Sequence, residues 1–291
     1  MAAHQDRYWW SPDGVRLHAR DYAGGADGRP PILCLPGLTR NARDFAALAE
    51  RLAPEWRVIA LSFRGRGESG YAKDPMTYVP LTYVGDVDAL LTELGIERFA
   101  AVGTSLGGIV TMLLSGTTRA RIVGALLNDV GPDIMPAGLQ RIRGYVGRAS
   151  NWPTWMHAAR GVRELNAAAY PGYATLDWLA MAKRLYRLNS AGRVVLDYDL
   201  RIADPFRVPG NEAGPDMWRA LDGLADTPTL LVRGERSDVL GAATAERMAG
   251  VLGRAELVTV PGVGHAPTLD EPELADPIGR WLLQVAEPAS A

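Results

Sequence analysis

Cysteine is nearly missing from this chain: Cys34 is the only one in 291 residues, so no internal disulfide can form. Its setting, the apolar run Pro31-Ile32-Leu33-Cys34-Leu35, suits a buried inert thiol rather than a redox centre. Net charge is nearly missing too. Thirty-one Lys and Arg against 33 Asp and Glu leave −2 at pH 7, which removes the electrostatic case for nucleic acid or an anionic membrane as partner. Long hydrophobic runs are absent. The longest mostly apolar stretch, Leu106 to Leu114, holds two glycines and a threonine and falls well short of the ~20 residues a membrane span needs. Met1-Ala2-Ala3-His4-Gln5-Asp6-Arg7 has no basic region followed by an apolar stretch, so no secretory leader is expected. The expectation is a cytoplasmic protein.

What is present is ordinary for a folded domain: 47% hydrophobic and 22% charged residues, in a chain long enough to bury roughly three-quarters of its unfolded surface. Short β-rich runs alternate with helical stretches, the pattern of a mostly parallel sheet with helices on both faces. Tyr8-Trp9-Trp10 and Val15 to Ala19 flank the turn Pro12-Asp13-Gly14 and read as an opening hairpin. Further strands are expected at 31–35, 58–63, 99–103, 122–127, 229–232 and 257–260, with helices at 45–52, 84–94, 106–115, 242–252 and 277–285. Between the strands at 122–127 and 229–232 lie 101 residues, Asn128 through Pro228. A crossover needs only a dozen or so, so the excess is expected to be an inserted helical cap at 131–214, with the core domain at 1–130 and 215–291. The cap is aromatic-rich, and Trp152, Trp155 and Trp178 are candidate pocket walls or core anchors. It carries eleven Arg and Lys against seven Asp and Glu; Arg141, Arg143 or Arg148 could line an entrance favouring acidic substrates. The tail 287–291 reads as frayed.

Val102-Gly103-Thr104-Ser105-Leu106-Gly107-Gly108 places a serine between glycines at −2 and +2, after a strand and before a helix. A strand-to-helix turn that tight exposes the serine at its apex and leaves no room for neighbouring side chains. Ser105 is the candidate nucleophile. It needs a base, and of the four histidines His265 lies in the glycine-bracketed loop Pro261-Gly262-Val263-Gly264-His265-Ala266-Pro267, past the last strand at the sheet's carboxyl edge. His4, His18 and His157 have no such setting. A carboxylate must fix the imidazole tautomer. Asp238 follows the penultimate strand, Asp129 follows the strand before the cap, and Glu235 is also near. Two backbone donors must hold the oxyanion: Leu106 N–H, next to the serine, and Leu38 N–H from the loop Leu35-Pro36-Gly37-Leu38-Thr39-Arg40-Asn41.

Taken in chain order, the serine elbow, the acid and the histidine, with the Pro-Gly-Leu loop, Arg64-Gly65-Arg66-Gly67-Glu68-Ser69 and Gly264-His265-Ala266-Pro267, resemble the α/β-hydrolase superfamily. The resemblance covers essentially the whole chain outside the cap. It implies an eight-stranded, mostly parallel sheet flanked by helices, a helical lid and a Ser105–Asp238–His265 triad. Asp129 is then the alternative acid, read mainly as ordering the cap's entry. The pattern departs at Pro36, where relatives often carry histidine.

The activity this predicts is acyl transfer to water on a small ester or lactone, with no metal and no organic cofactor. The nearest rival enzymes are a carbon–carbon hydrolase of vinylogous diketones, whose relatives often carry tryptophan where Ala266 stands, and a peptidase whose cap carboxylates Glu164 and Asp177 would hold an ammonium. A rival of another class is a non-catalytic ligand receptor. Gly65-Arg66-Gly67-Glu68-Ser69-Gly70 also matches a dinucleotide fingerprint, but Pro75 and Pro80 follow and no helix is expected until about Val84, where the fingerprint requires one at once.

Overall fold

The computed structural model describes residues 3–25, 28–117, 121–208 and 215–287. Eight strands form one sheet: β1 (Gln5–Trp10), β2 (Arg16–Tyr22), β3 (Ile32–Leu35), β4 (Val58–Ser62), β5 (Phe99–Thr104), β6 (Ile122–Asn128), β10 (Thr229–Gly234) and β11 (Ala255–Val260). Their spatial order is β1-β2-β4-β3-β5-β6-β10-β11. The first two pairings, β1 with β2 and β2 with β4, are antiparallel, and every other pairing is parallel. This is the eight-stranded, mostly parallel sheet expected.

The strands read as continuous apolar runs because both faces are covered. In β3 the alternation is explicit. Leu33 and Leu35 join the core under α2 (Pro80–Glu93), α3 (Leu106–Thr117) and α8 (Ala242–Val251), while Ile32 and Cys34 join the core under α1 (Ala46–Leu52) and α9 (Ala275–Ala286). Burial pushes the Cys34 thiol far above its ordinary pKa, so it stays protonated. The helix α2 begins at Pro80, four residues before the periodic signal. Proline is pre-organised for a first helical position and needs no N–H there, so Pro80 starts this helix rather than delaying it.

The glycine-rich segment after β4 forms a tight loop. Gly65 and Gly67 take φ of +73° and +54°, and the side chains of Arg64 and Arg66 turn into the protein. Arg64 is clamped between Asp86 on α2, at 2.5 and 2.8 Å, and Asp13 of the hairpin turn, at 2.7 and 2.8 Å.

Between β6 and β10 the chain leaves the sheet. It forms α4 (Pro136–Tyr145), β7 (Asn151–Trp152), α5 (Trp155–Asn166), α6 (Thr175–Leu185), β8 (Tyr186–Leu188) and β9 (Val194–Leu196), then a 3-10 helix at Leu200–Arg207 and α7 (Met217–Asp222). The expectation for this stretch was helices alone. A three-stranded antiparallel sheet, β7-β9-β8, accompanies them, its strands two or three residues long and too short to leave a periodic signal. The segment has its own core around Val162, Tyr170, Trp178, Met181, Tyr186 and Val194. It is pinned to the main domain by Arg43 on Asp197 (2.6 Å) and by Tyr78 Oη, which donates to Asp199 (2.7 Å). Residues 209–214, at the end of the expected cap, and 288–291, in the expected frayed tail, lie outside the described residues. Among the described residues, no helix is long and apolar enough to cross a membrane.

Candidate active site

Ser105 stands between β5 and α3 with φ of +53°, a conformation that costs a non-glycine residue on the order of 1–3 kcal/mol and persists only where its surroundings enforce it. The flanking glycines show what enforces it. A Cβ on Gly107 would lie 1.9 Å from the Leu35 carbonyl oxygen, and one on Gly103 would lie 2.5 Å from that of Gly107. The elbow is therefore wedged against β3, and glycine is the residue that fits.

His265 lies in the loop after β11. Its Nε2 is 3.0 Å from Ser105 Oγ and its Nδ1 is 2.7 Å from Asp129 Oδ2. The loop is held from several sides. Glu235 accepts the Gly262 amide at 2.6 Å, Asn128 donates to the Pro267 carbonyl at 2.8 Å, and Tyr170 Oη donates to the Ala266 carbonyl at 2.8 Å. Because a carboxylate oxygen offers only lone pairs, Asp129 places the imidazole proton on Nδ1 and leaves Nε2 free to accept the Ser105 hydroxyl.

The acid expected from the family resemblance is corrected by this geometry. Asp238 does not meet the imidazole. Its carboxylate is held by both Nε (2.5 Å) and Nη2 (2.8 Å) of Arg141 on α4, which keeps the carboxyl below its ordinary pKa. Asp129 takes the place instead. It is fully buried and accepts three hydrogen bonds: from His265, from Ser237 Oγ at 2.7 Å, and from the Gly234 amide at 2.9 Å. Its φ of +56° is a left-handed conformation that aspartate tolerates better than most residues.

A cavity of about 110 Å³ opens at Ser105, lined by Gly37, Leu38, Thr39, Arg40, Arg141, Tyr145, Tyr170, Arg184 and His265 among others. Leu38 thus lines the same cavity as Ser105. Arg66 holds its carbonyl at 2.9 Å. Leu106 opens α3, so its amide belongs to the first helical turn, whose N–H groups have no acceptor within the helix. A second cavity of about 380 Å³ continues under the inserted segment.

The tryptophans divide. Trp152 lines this second chamber. Trp178 and Trp155 do not line either space: Trp178 is 3% exposed in the insertion's own core, edge-on to Tyr170 and tilted against Tyr173, and Trp155 packs on that core. Arg141 and Arg148 face the chambers as considered, but Arg143 does not. The cap carboxylates weighed for a peptidase are elsewhere. Glu164 is exposed, and Asp177 accepts the Ala174 amide at 2.8 Å at the start of α6. His18 is buried in β2 between Asp6 and Ser62. Sequence reasoning missed Arg40, Tyr145, Tyr170 and Arg184, since nothing local marks a residue that meets the site only through tertiary packing. Among the described residues, no group of three or more His, Cys, Asp or Glu side chains is placed to hold a metal ion.

A strand–serine–helix elbow on a sheet of this order, with histidine and aspartate delivered from later loops, defines a family. Residues 32–276 match the Alpha/beta hydrolase family, and the chain belongs to it. Among known proteins, it is similar to an alpha/beta hydrolase from Novosphingobium aromaticivorans whose crystal structure superposes with a TM-score of 0.93, at 57% identity over 98% of this chain and 99% of that one. It is 33% identical to the 3-hydroxybutyrate-oligomer hydrolase of Cupriavidus necator over 90% of this chain and 91% of that protein. It is 25% identical to a pimeloyl-[acyl-carrier protein] methyl ester esterase of Xanthomonas oryzae pv. oryzae, over 88% and 96%.

Proposed function

We propose that the protein is a serine hydrolase of small carboxylic esters or lactones, working through Ser105, His265 and Asp129. The observation that carries this is the continuous hydrogen-bonded line Ser105 Oγ–His265–Asp129 at 3.0 and 2.7 Å, with the serine at a strained apex over a cavity. Ser105 Oγ attacks the ester carbonyl while His265 Nε2 takes its proton. The amides of Leu38 and Leu106 receive the oxyanion. The intermediate collapses, His265 returns the proton to the departing alkoxide, and the acyl group remains on Ser105. Water, deprotonated by His265, then attacks the acyl carbonyl and frees the serine. The Asp129 carboxylate, 2.7 Å from Nδ1, stabilises the imidazolium.

The segment 131–208 serves as a lid over this site, closing the chamber against water and shaping the space for the substrate. The name of the Cupriavidus relative supports esters of short hydroxy acids as the first substrates to try. The test is turnover of p-nitrophenyl butyrate. The parent enzyme should release p-nitrophenol in a burst followed by steady turnover, and Ser105→Ala should lose both while melting at the same temperature. Activity in Ser105→Ala within tenfold of the parent would refute the reading.

A further inference from the structure

The two cavities are neighbours: Thr39, Arg40, Arg141, Tyr145 and Asn166 line both. Four arginines, Arg40, Arg141, Arg148 and Arg184, line the two cavities against one carboxylate, Asp44. Two of these are already matched. Asp44 grips Arg40 at 2.5 and 2.8 Å, and Asp238 grips Arg141 in the same two-point manner. Arg184 differs. It lines the smaller cavity with Ser105, its Nε is buried without a hydrogen-bond partner, and among the described residues its guanidinium has no ion pair.

The placement of Arg184 is built in. Its carbonyl, near the end of α6, accepts from Asn41 Nδ2 at 3.2 Å and from Arg43 Nη2 at 3.0 Å. This ties the helix end to the loop that carries Leu38. Two acids of the loop after β11 lie in its field without pairing with it: Asp270 pairs with Arg51 at 3.4 Å, and Glu271 accepts from the Thr268 amide and hydroxyl through Oε1 while its Oε2 is buried without a partner. Arg184 is half-buried, and a charged Nε–H withdrawn from water without an acceptor is costly unless something anionic meets it. Its planar fork suits a carboxylate.

We propose that Arg184 binds a carboxylate of the substrate, so that the enzyme takes esters bearing a free carboxylate a few bonds from the scissile ester, with the rest of the molecule in the larger apolar chamber. This rests on the serine ester hydrolase reading above. Arg184 is a specificity-determining residue and takes no part in the chemical step.

The test compares 3-acetoxybutyrate with its uncharged isostere 3-acetoxybutanamide, with p-nitrophenyl butyrate as a neutral control. The parent should favour the acid in kcat/KM. Arg184→Gln should lower kcat/KM for the acid ~10- to 100-fold, chiefly through KM, as loss of a charged hydrogen-bond partner implies, and leave the amide within about twofold. Arg184→Lys should restore part of the loss. Equal use of acid and amide by the parent, or an equal fall for both in Arg184→Gln, would overturn the proposal while leaving the ester reading intact. If the parent hydrolyses none of the three esters, both readings fall together. Should Arg184→Gln fail to fold, the parent and Arg184→Lys decide: a parent acid-to-amide ratio near one overturns the proposal, as does a ratio unchanged in Arg184→Lys, and a ratio that falls in Arg184→Lys bears it out.

Discussion

Replacing Asp129 by asparagine changes one atom in a fully buried site and should remove nearly all turnover. The carboxylate accepts from His265, Ser237 and the Gly234 amide, so all three of its partners point donors at it. An asparagine has one acceptor oxygen and one NH2 group to meet them. With its oxygen kept on the Gly234 amide, the NH2 group faces His265 Nδ1, which must then become the acceptor. The ring proton moves to Nε2, where it confronts the Ser105 hydroxyl instead of receiving its proton. A forced tautomer of this kind lowers kcat by ~10⁴ in serine proteases, equivalent to about 5 kcal/mol of transition-state stabilisation. The buried mismatch should also cost about 1–3 kcal/mol of stability.

Asp238→Asn is the matched control. Its carboxylate touches Arg141 and leaves the Ser105–His265–Asp129 line untouched. With about a third of each side chain exposed, the ion pair is worth only ~0–1 kcal/mol, and kcat should stay within about tenfold of the parent. The assay is kcat and KM on p-nitrophenyl butyrate beside a thermal melt. Asp129→Asn retaining activity within tenfold of the parent, or Asp238→Asn falling as far as Asp129→Asn, would refute the reasoning.

Two other outcomes are expected. Trp178→Ala should destabilise the inserted segment by about 3–5 kcal/mol, read in thermal melts, whereas Trp152→Ala should shift the acyl chain length preferred in a p-nitrophenyl ester series, because Trp178 is core and Trp152 is chamber wall. Asp13, held by Arg64, has its carboxyl lowered to about 2. Its contribution to stability is full above the ordinary carboxylate value of about 3.9 and is lost as pH falls through about 2, so urea melts of Asp13→Asn should lack the part of the parent's decline that falls between these values.

Most of the sheet was legible in the sequence because its strands are short apolar runs bounded by turn residues, and Ser105 and His265 were legible because glycines bracket them. The start of α2 was misplaced because a proline was read as an interruption where it is a first-turn residue. The strands β7, β8 and β9 were not read at all, being pairings fixed by tertiary contact rather than by local pattern. Asp238 and Asp129 could not be separated by type or by distance from a strand end, since each follows a strand whose neighbours are unknown until the sheet order is known.

That order explains the outcome. In the sheet β6 lies between β5, which delivers Ser105, and β10. Asp129, one residue past β6, hydrogen-bonds through its amide to the Val232 carbonyl at 2.7 Å, and its left-handed backbone turns the carboxylate to the imidazole. With Asp129 at the end of β6 meeting His265, the end of β10 and the loop after it make other contacts. Gly234 and Ser237 donate to Asp129, and Ser237 Oγ in turn accepts the Val239 and Leu240 amides at 3.1 and 3.0 Å. Asp238, between them, reaches out to Arg141 on α4. One short stretch therefore holds Asp129 on its inner side and Arg141 of the inserted segment on its outer side. A side chain that looks catalytic by position instead holds Arg141 on α4, one of the residues that line the cavity.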